Sequence, residues 1–230
     1  LIKHLSYEGQ LELRVREVAR YLKPLGRLAP DWARQGGVLF FWDGDGAGLT
    51  HSGVASLELV SFTGDLNPVP INGQISASYS PGTVYVSRLL LDRGSLSLSS
   101  SLYLGKQGVS VQDIQLFNKQ TRLLHGELFL PLSLEALLAG RSWEETMMAD
   151  RDVYAFLRSD NLELGSLVQL FGQETSLRGR VDLRVDARGP WTDPVIDGHL
   201  FVAELQAQFP RFSLPISQGT LSLQVGQRLA

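Results

Sequence analysis

The sequence predicts a mainly β protein: an extended, curled antiparallel meander with an open apolar groove and two or three short helices at its edges. Three observations predict it. Strict apolar–polar alternation recurs along most of the chain, and a strand puts successive side chains on opposite faces. Turn signals built from Gly, Pro and Asp interrupt that alternation at short intervals. Helical spacing shows only in brief stretches, each following a strand.

The plainest unit is Gly179 to Gly198. Its first half sets Val181, Leu183, Val185 and Ala187 against Arg180, Asp182, Arg184, Asp186 and Arg188. That is a ribbon with one oily and one charged face, and the Arg/Asp alternation predicts opposite charges meeting across neighbouring strands. Gly189-Pro190 and Asp193-Pro194 break the ladder and turn the chain. Apolar alternation resumes at Ile196, Gly198, Leu200 and Val202.

From the start of the chain, residues 9–15 alternate as a strand, and Val18, Tyr21, Leu22 and Leu25 suit a short helix over 17–25, stopped by Pro24 and Gly26. Residues 30–36 read as a loop. Val38 to Trp42 reads as a buried strand, ended by the turn Asp43-Gly-Asp-Gly-Ala-Gly48. Val54 to Phe62 is mixed. Ile71, Gly73, Ile75, Ala77 and Tyr79 alternate cleanly, Pro81-Gly82 turns, and Val84, Val86 and Leu90 follow. Leu96, Leu98, Leu102 and Leu104 form a stripe against Ser95, Ser97, Ser99 and Ser101. Gly105 to Gly108 turns the chain into Val109 and Val111, and the series continues through Ile114, Leu116, Leu124, Gly126, Leu128 and Leu130. A helix is predicted over 133–139, with Ser133 as N-cap and Gly140 as stop. Val153 to Leu157 is a strand and Asn161 to Phe171 a third short helix. Segments 9–25, 126–140 and 153–171 thus form a loose internal repeat of strand plus edge helix. Further strands are read at Leu205 to Phe209, Phe212 to Ile216 and Gly219 to Val225. The chain divides into a sheet segment over 1–152 and a strand–turn–strand repeat segment over 153–230, both parts of one continuous sheet.

Composition narrows the function. The 230 residues carry a net charge of −3, with no concentrated basic surface of the kind that phosphate backbones require, so no nucleic acid is expected as partner. The absence of cysteine removes disulfides and thiolate chemistry. Leu1 stands where a Met would, and strand alternation runs on to Val225, so the chain reads as an excerpt of a longer protein. The longest apolar run, Val38 to Trp42, is far short of the ~20 residues a membrane span needs, which places any anchor outside these residues.

No motif points to catalysis, a metal or a cofactor. Asp43-Gly-Asp45-Gly46 begins like a calcium loop, but Ala47 and Val54 stand where that loop needs oxygen ligands. Gly44, Gly46 and Gly48 lack the spacing and the βαβ setting of a dinucleotide loop. His4, His51, His125 and His199 are scattered, with His199 on the polar side of its strand. Glu144-Glu145 and the Asp150/Asp152 pair read as solvated charge beside a helix. The chain is therefore not expected to be an enzyme.

The apolar stripes are the informative feature, and two readings fit them. One is the inner face of a sandwich core; the other is an open sheet whose inner face its own side chains do not fill. The uniform Leu, Val and Ile character of the stripes, with few interior aromatics, favours the second. On that reading Leu96, Leu98, Leu102, Val181, Leu183, Val185, Ile196, Leu200, Leu221 and Leu223 line an open apolar groove.

The run Gly179-Arg-Val-Asp-Leu-Arg-Val-Asp-Ala-Arg-Gly-Pro-Trp-Thr-Asp-Pro-Val-Ile-Asp-Gly-His-Leu resembles the repeat of the TamB family, the translocation and assembly module of the AsmA-like superfamily. The preceding Leu162-Glu-Leu-Gly-Ser-Leu-Val-Gln-Leu-Phe and the later Phe212-Ser-Leu-Pro-Ile-Ser-Gln-Gly-Thr-Leu-Ser-Leu are similar to it too. The likeness is good over 153–230 and weaker over 1–152. It implies a β-taco, a U-shaped sheet around a continuous apolar groove, in the periplasm, anchored in the inner membrane by a segment preceding these residues. It implies phospholipid transport between the two membranes, outer-membrane protein assembly and a BamA-type barrel as partner. The rival reading is a module that receives unfolded outer-membrane strands at its edge by β-augmentation. An enzyme on a β-helix has nothing beyond the strand count in its favour.

Overall fold

The computed structural model describes residues 6–16, 35–47, 50–64, 67–133, 136, 139–148, 151–159, 162–166, 176–208 and 216–226. The helix expected over 17–25 lies outside them, as do residues 212–215 of the strand expected from Phe212 to Ile216. Among the described residues thirteen strands lie in antiparallel sheet.

The first of two compact units, Leu1–Lys106, holds β1 (Ser6–Val15), β2 (Gln35–Ala47), β3 (Thr50–Gly64), β4 (Asn67–Ser80), β5 (Thr83–Arg93) and β6 (Leu96–Gly105). Each strand pairs with the next, as alternation broken by short turns requires. The second unit, Gln107–Ala230, holds β7 (Gly108–Asn118), β8 (Thr121–Leu130), β9 (Asp152–Ser159), β10 (Leu162–Glu163), β11 (Ser176–Pro190), β12 (Val195–Gln208) and β13 (Ile216–Gly226). Here β9 pairs with both β8 and β11, and the short β10 pairs with the start of β11.

The stretch from Val54 to Phe62, mixed in sequence, is regular in the sheet. Between Leu59 and Phe62 β3 carries one residue more than its partner, since these two oppose Gly73 and Ile71. The extra residue is a bulge, which puts Phe62 back on the face of Leu59. Ser61 there is left-handed at φ 52°, and its N–H donates to Asn72 Oδ1 at 2.9 Å. The same device recurs between Val86 and Leu89, Val111 and Ile114, and Val202 and Leu205. Each slip in the sequence pattern is thus absorbed, and the apolar side chains stay in phase.

Asp43-Gly44-Asp45-Gly46 does not turn, contrary to expectation: β2 runs through it to Ala47. Val38 to Trp42 is also half-buried to exposed, not buried. Gly44 persists in the strand because aromatic rings occupy the space over it. A Cβ there would stand 2.8 Å from Trp42 Cζ2 and 2.9 Å from Tyr79 Oη. Trp42 Nε1 donates to Tyr79 Oη at 2.8 Å, so the indole is satisfied where it lies. Gly53 sits opposite Gly44, and a Cβ on it would approach Asp43 O to 2.4 Å. Gly53→Ala is therefore expected to cost about 1–3 kcal/mol, the usual toll of overpacking. Urea denaturation measures it; an unchanged midpoint would show that the two strands stand farther apart.

The edge helices are partly as expected. Ser133 Oγ accepts the Ala136 N–H at 3.2 Å, Gly140 is left-handed at φ 67°, and Arg141 N–H reaches the Ala136 carbonyl at 3.1 Å. These are an N-cap and a Gly-terminated C-cap at the two expected positions. The third helix begins later than expected: Leu162 and Glu163 are strand, opposite Val181 and Arg180, and helical geometry starts at Leu164. Pairing with β11 satisfies backbone groups that a helix starting at Asn161 would leave bare. A helix not anticipated, α1 (Trp143–Thr146), takes in Glu144 and Glu145, and Ser142 Oγ accepts the Glu145 N–H at 3.3 Å. The Leu132–Met147 bridge closes the neck of this insertion between β8 and β9.

Candidate functional site

Strand register assembles the site. Directly opposed residues in an antiparallel pair point to the same face, so apolar positions in phase on successive strands line up as rows across the sheet. In the first unit one row runs Val15, Val38, Leu59, Gly73, Leu91, Leu98, taking one residue from each of β1 to β6. The row beside it holds Leu13, Phe40, Leu57, Ile75, Leu89 and Ser100, and the next holds Leu11, Trp42, Ala55, Ala77, Val86 and Leu102. In the second unit Ile114, Gly126, Leu157, Val185, Gly198 and Val225 form a row over β7, β8, β9, β11, β12 and β13. Leu183, Leu200 and Leu223 form part of another, Val181, Val202 and Leu221 a third, and Ile196 stands opposite Ala187.

The expected groove residues therefore do share faces. Leu96, Leu98 and Leu102 lie on the apolar face of the first unit, and the other seven on that of the second. Their coverage differs. Leu98, Leu102, Leu183, Val185 and Leu200 are half-buried, while Leu221 and Leu223 are 50% and 54% exposed. Leu96 and Val181 are 1% and 6% exposed and belong to the core instead. Leu96 ends a row with Phe62, Ile71 and Arg93, of which Phe62 and Arg93 are also buried. Burial pushes the Arg93 guanidinium below its ordinary pKa. Val181 is opposed by the fully covered Leu162. Val86, Val181 and Val202 are buried within their strands as well, and the other apolar residues named on each face are half-buried to exposed.

Sequence reasoning missed part of the face: Leu59 stands in the row of Leu98, Leu157 in that of Val185, and Phe40 and Leu57 in the row between those of Leu98 and Leu102. Alternation marked them, but the slip at Val60-Ser61 hid the phase of β3.

The opposite face mixes polar and charged residues with Phe41, Val54, Tyr85 and Phe201, and the expected charge pattern needs a correction there. Residues directly across from one another include like charges: Arg184 faces Arg158, and Asp186 faces Asp197. Opposite charges meet along the strand or on the diagonal instead. Arg184 Nε donates to Asp186 Oδ2 at 2.9 Å, and Arg158 lies 3.5 Å from Asp186. His199 and Asp182 are 3.2 Å apart, and Arg180 pairs with Glu204. The Arg184 hydrogen bond chiefly holds the Asp186 carboxyl below the usual aspartate range. Its contribution is therefore present above the ordinary value of about 3.9 and is lost only as pH falls through the lower folded value. Because these groups are largely exposed, that contribution is small.

Among the described residues no group of three or more His, Asp or Glu is placed to hold a metal, and no helix is long and apolar enough to cross a membrane. Tyr7 Oη bonds His51 Nδ1 beside an open polar depression of about 490 Å³ that includes Glu8 and Asp45. His125 packs edge-on against Phe156, with ring centroids 5.9 Å apart.

What fold and site define is a class of architecture: antiparallel sheet in which each unit gathers apolar rows on one face. No family model, curated protein or solved structure matches the chain.

Proposed function

We propose that this chain is a TamB-like segment of a periplasmic bridge, and that its apolar face conducts phospholipid acyl chains between the inner and outer membranes. One observation carries the reading: in each unit a row of apolar residues and glycines runs across six strands, one residue from each. At a strand spacing near 4.8 Å, a six-strand row is about 24 Å long. The acyl chains of one leaflet span roughly half of a 30 Å hydrocarbon core, so such a row accommodates their length.

The energetics suit this role. Two acyl chains carry on the order of 30 CH₂ groups, each costing about 0.8 kcal/mol to expose to water. A face of Leu, Val and Ile offsets that cost. Because the hydrophobic effect is non-directional, it favours no one position along a uniform row, and a lipid slides without high barriers. No nucleophile or cofactor enters this scheme. A BamA-type outer-membrane barrel is the partner proposed for the far end.

A photo-crosslinking residue at Leu183 tests the reading in cells. Phospholipid is the expected adduct, and the same probe at Arg184, on the opposite face, is expected to capture none. Adducts made only of unfolded outer-membrane strands would replace lipid conduction with β-augmentation.

A further inference from the structure

The apolar face of the first unit has two unlike ends. Toward the β5–β6 turn it is crossed by the row Phe62, Ile71, Arg93 and Leu96, in which all but the half-buried Ile71 are buried. Arg93 is 7% exposed, so its charge is withheld from a ligand on the face. Toward the β4–β5 turn, aliphatic side chains give way to rings over glycines. Gly9, Gly44 and Gly53 stand opposite one another on β1, β2 and β3, in a row that continues into Tyr79 of β4. A Cβ on Gly9 would stand 3.5 Å from Trp42 Cζ3, and one on Gly53 3.1 Å from Tyr79 Cε1. The two rings thus lie over the glycine row, joined by the indole N–H bond to Tyr79 Oη, and both stay half-buried. One row further out Tyr7, Gly46 and His51 are opposed, and the exposed Tyr7 and His51 rings are hydrogen-bonded to each other. They line the open depression of about 490 Å³, with Glu8, Asp45 and Thr50 among its other walls.

We infer that this end of the face seats the polar headgroup of a phospholipid, while the acyl chains lie over the aliphatic rows of Leu57–Leu89 and Leu59–Leu98. Such a seat presupposes that the face is a lipid path, and it adds which way round the lipid lies. Tyr and Trp carry a polar tip on an apolar body, which suits them to the level where hydrocarbon meets water. A charged headgroup must stay hydrated or hydrogen-bonded, because an apolar surround penalises the loss of either. The depression is open to solvent and offers hydroxyls and an imidazole, whereas the row at the other end is closed. Glycine in a strand marks a close approach to the backbone, and here it lets the Trp42 and Tyr79 rings lie low, as a floor and not a wall across the face. Six residues separate Leu59 from Gly53 along β3, about 20 Å at the usual rise, so a lipid lying one way round touches different residues from one lying the other way.

Covalent mapping on the unaltered chain tests the orientation. Vesicles carry phosphatidylethanolamine with a photoreactive group either on the headgroup or at the end of an acyl chain, and adducts are located by peptide mass spectrometry. Comparing the two probes at each site cancels differences in side-chain reactivity. The headgroup probe is expected to exceed the chain-end probe at least fivefold at Tyr7, Trp42, His51 and Tyr79, with the reverse preference at Leu59 and Leu98. Tyr7→Leu/His51→Leu, which replaces two exposed polar tips with aliphatic side chains, is expected to cut the headgroup preference at least threefold. Retention of the far-UV β signal shows that this variant folds; if it does not, Tyr7→Phe/His51→Gln repeats the comparison. An even or reversed preference, or a variant that keeps the full preference, overturns the headgroup seat and leaves the lipid path standing. No adduct on this face with either probe overturns both.

Discussion

In the Leu183→Asp protein, capture and transfer of phospholipid fall at least tenfold, while Arg184→Asp leaves both within twofold. Leu183 stands mid-strand on the apolar face of β11, opposite Leu200 and in a row with Leu223. It is half-buried, so the carboxylate of the variant remains partly hydrated and the sheet still forms. An acyl chain crossing that position must strip the remaining water from the charge. Burying an unpaired polar group costs on the order of 2–7 kcal/mol, and far more for an isolated ion. Since ~1.4 kcal/mol is a factor of ten, even a partial toll blocks passage. Arg184 projects from the other face, where it bonds Asp186 and never meets the chain. Transfer of labelled phospholipid between donor and acceptor vesicles measures both variants. Equal losses would mean that both faces touch the lipid, which would sink the assignment of faces.

Leu96→Ala destabilises the first unit by about 2–5 kcal/mol, the range for truncating a fully buried leucine. Only 1% of its surface is exposed, and its row includes the buried Phe62 and Arg93. The cavity left behind adds to the lost transfer energy, because neighbours fixed in a hydrogen-bonded ladder collapse poorly into it. Two residues on, Leu98 is half-buried, and Leu98→Ala is expected to cost less than half as much. Chemical denaturation of the two variants side by side measures the difference. Similar losses would mean that the face is covered at Leu98 as it is at Leu96, and would favour a filled core over an open groove. With total stabilities of domains near 5–15 kcal/mol, the Leu96 loss is a large share of the whole.

These expectations rest on features of unequal legibility. The face of each residue in β11 was plain from Val181, Leu183 and Val185 alternating with Arg and Asp, because the strand period of two is a local property of the backbone. The caps at Ser133 and Gly140 were equally local, since each satisfies groups within one helical turn. The course of β2 through Asp43-Gly44-Asp45-Gly46 was not. Glycine and aspartate are turn formers in isolation, and only the Trp42 and Tyr79 rings lying over Gly44 make the extended form the better one. The phase slips at Ser61, Asp113 and Glu204 were visible as lapses in alternation. Their nature as bulges depends on a partner strand that is one residue shorter.

By itself the sequence determined the class of fold, the apolar stripes and the turns at Pro81-Gly82, Gly105 to Gly108 and Gly189 to Pro194, because alternation, turn chemistry and capping act over a few residues. Tertiary structure decided which strands meet, how the slips are absorbed and which stripe residues are covered. Leu96 and Leu98 are identical in sequence terms, yet one is buried and the other half-open. What separates them is the set of side chains that neighbouring strands bring alongside, and burial is a property of that assembled neighbourhood, not of the residue.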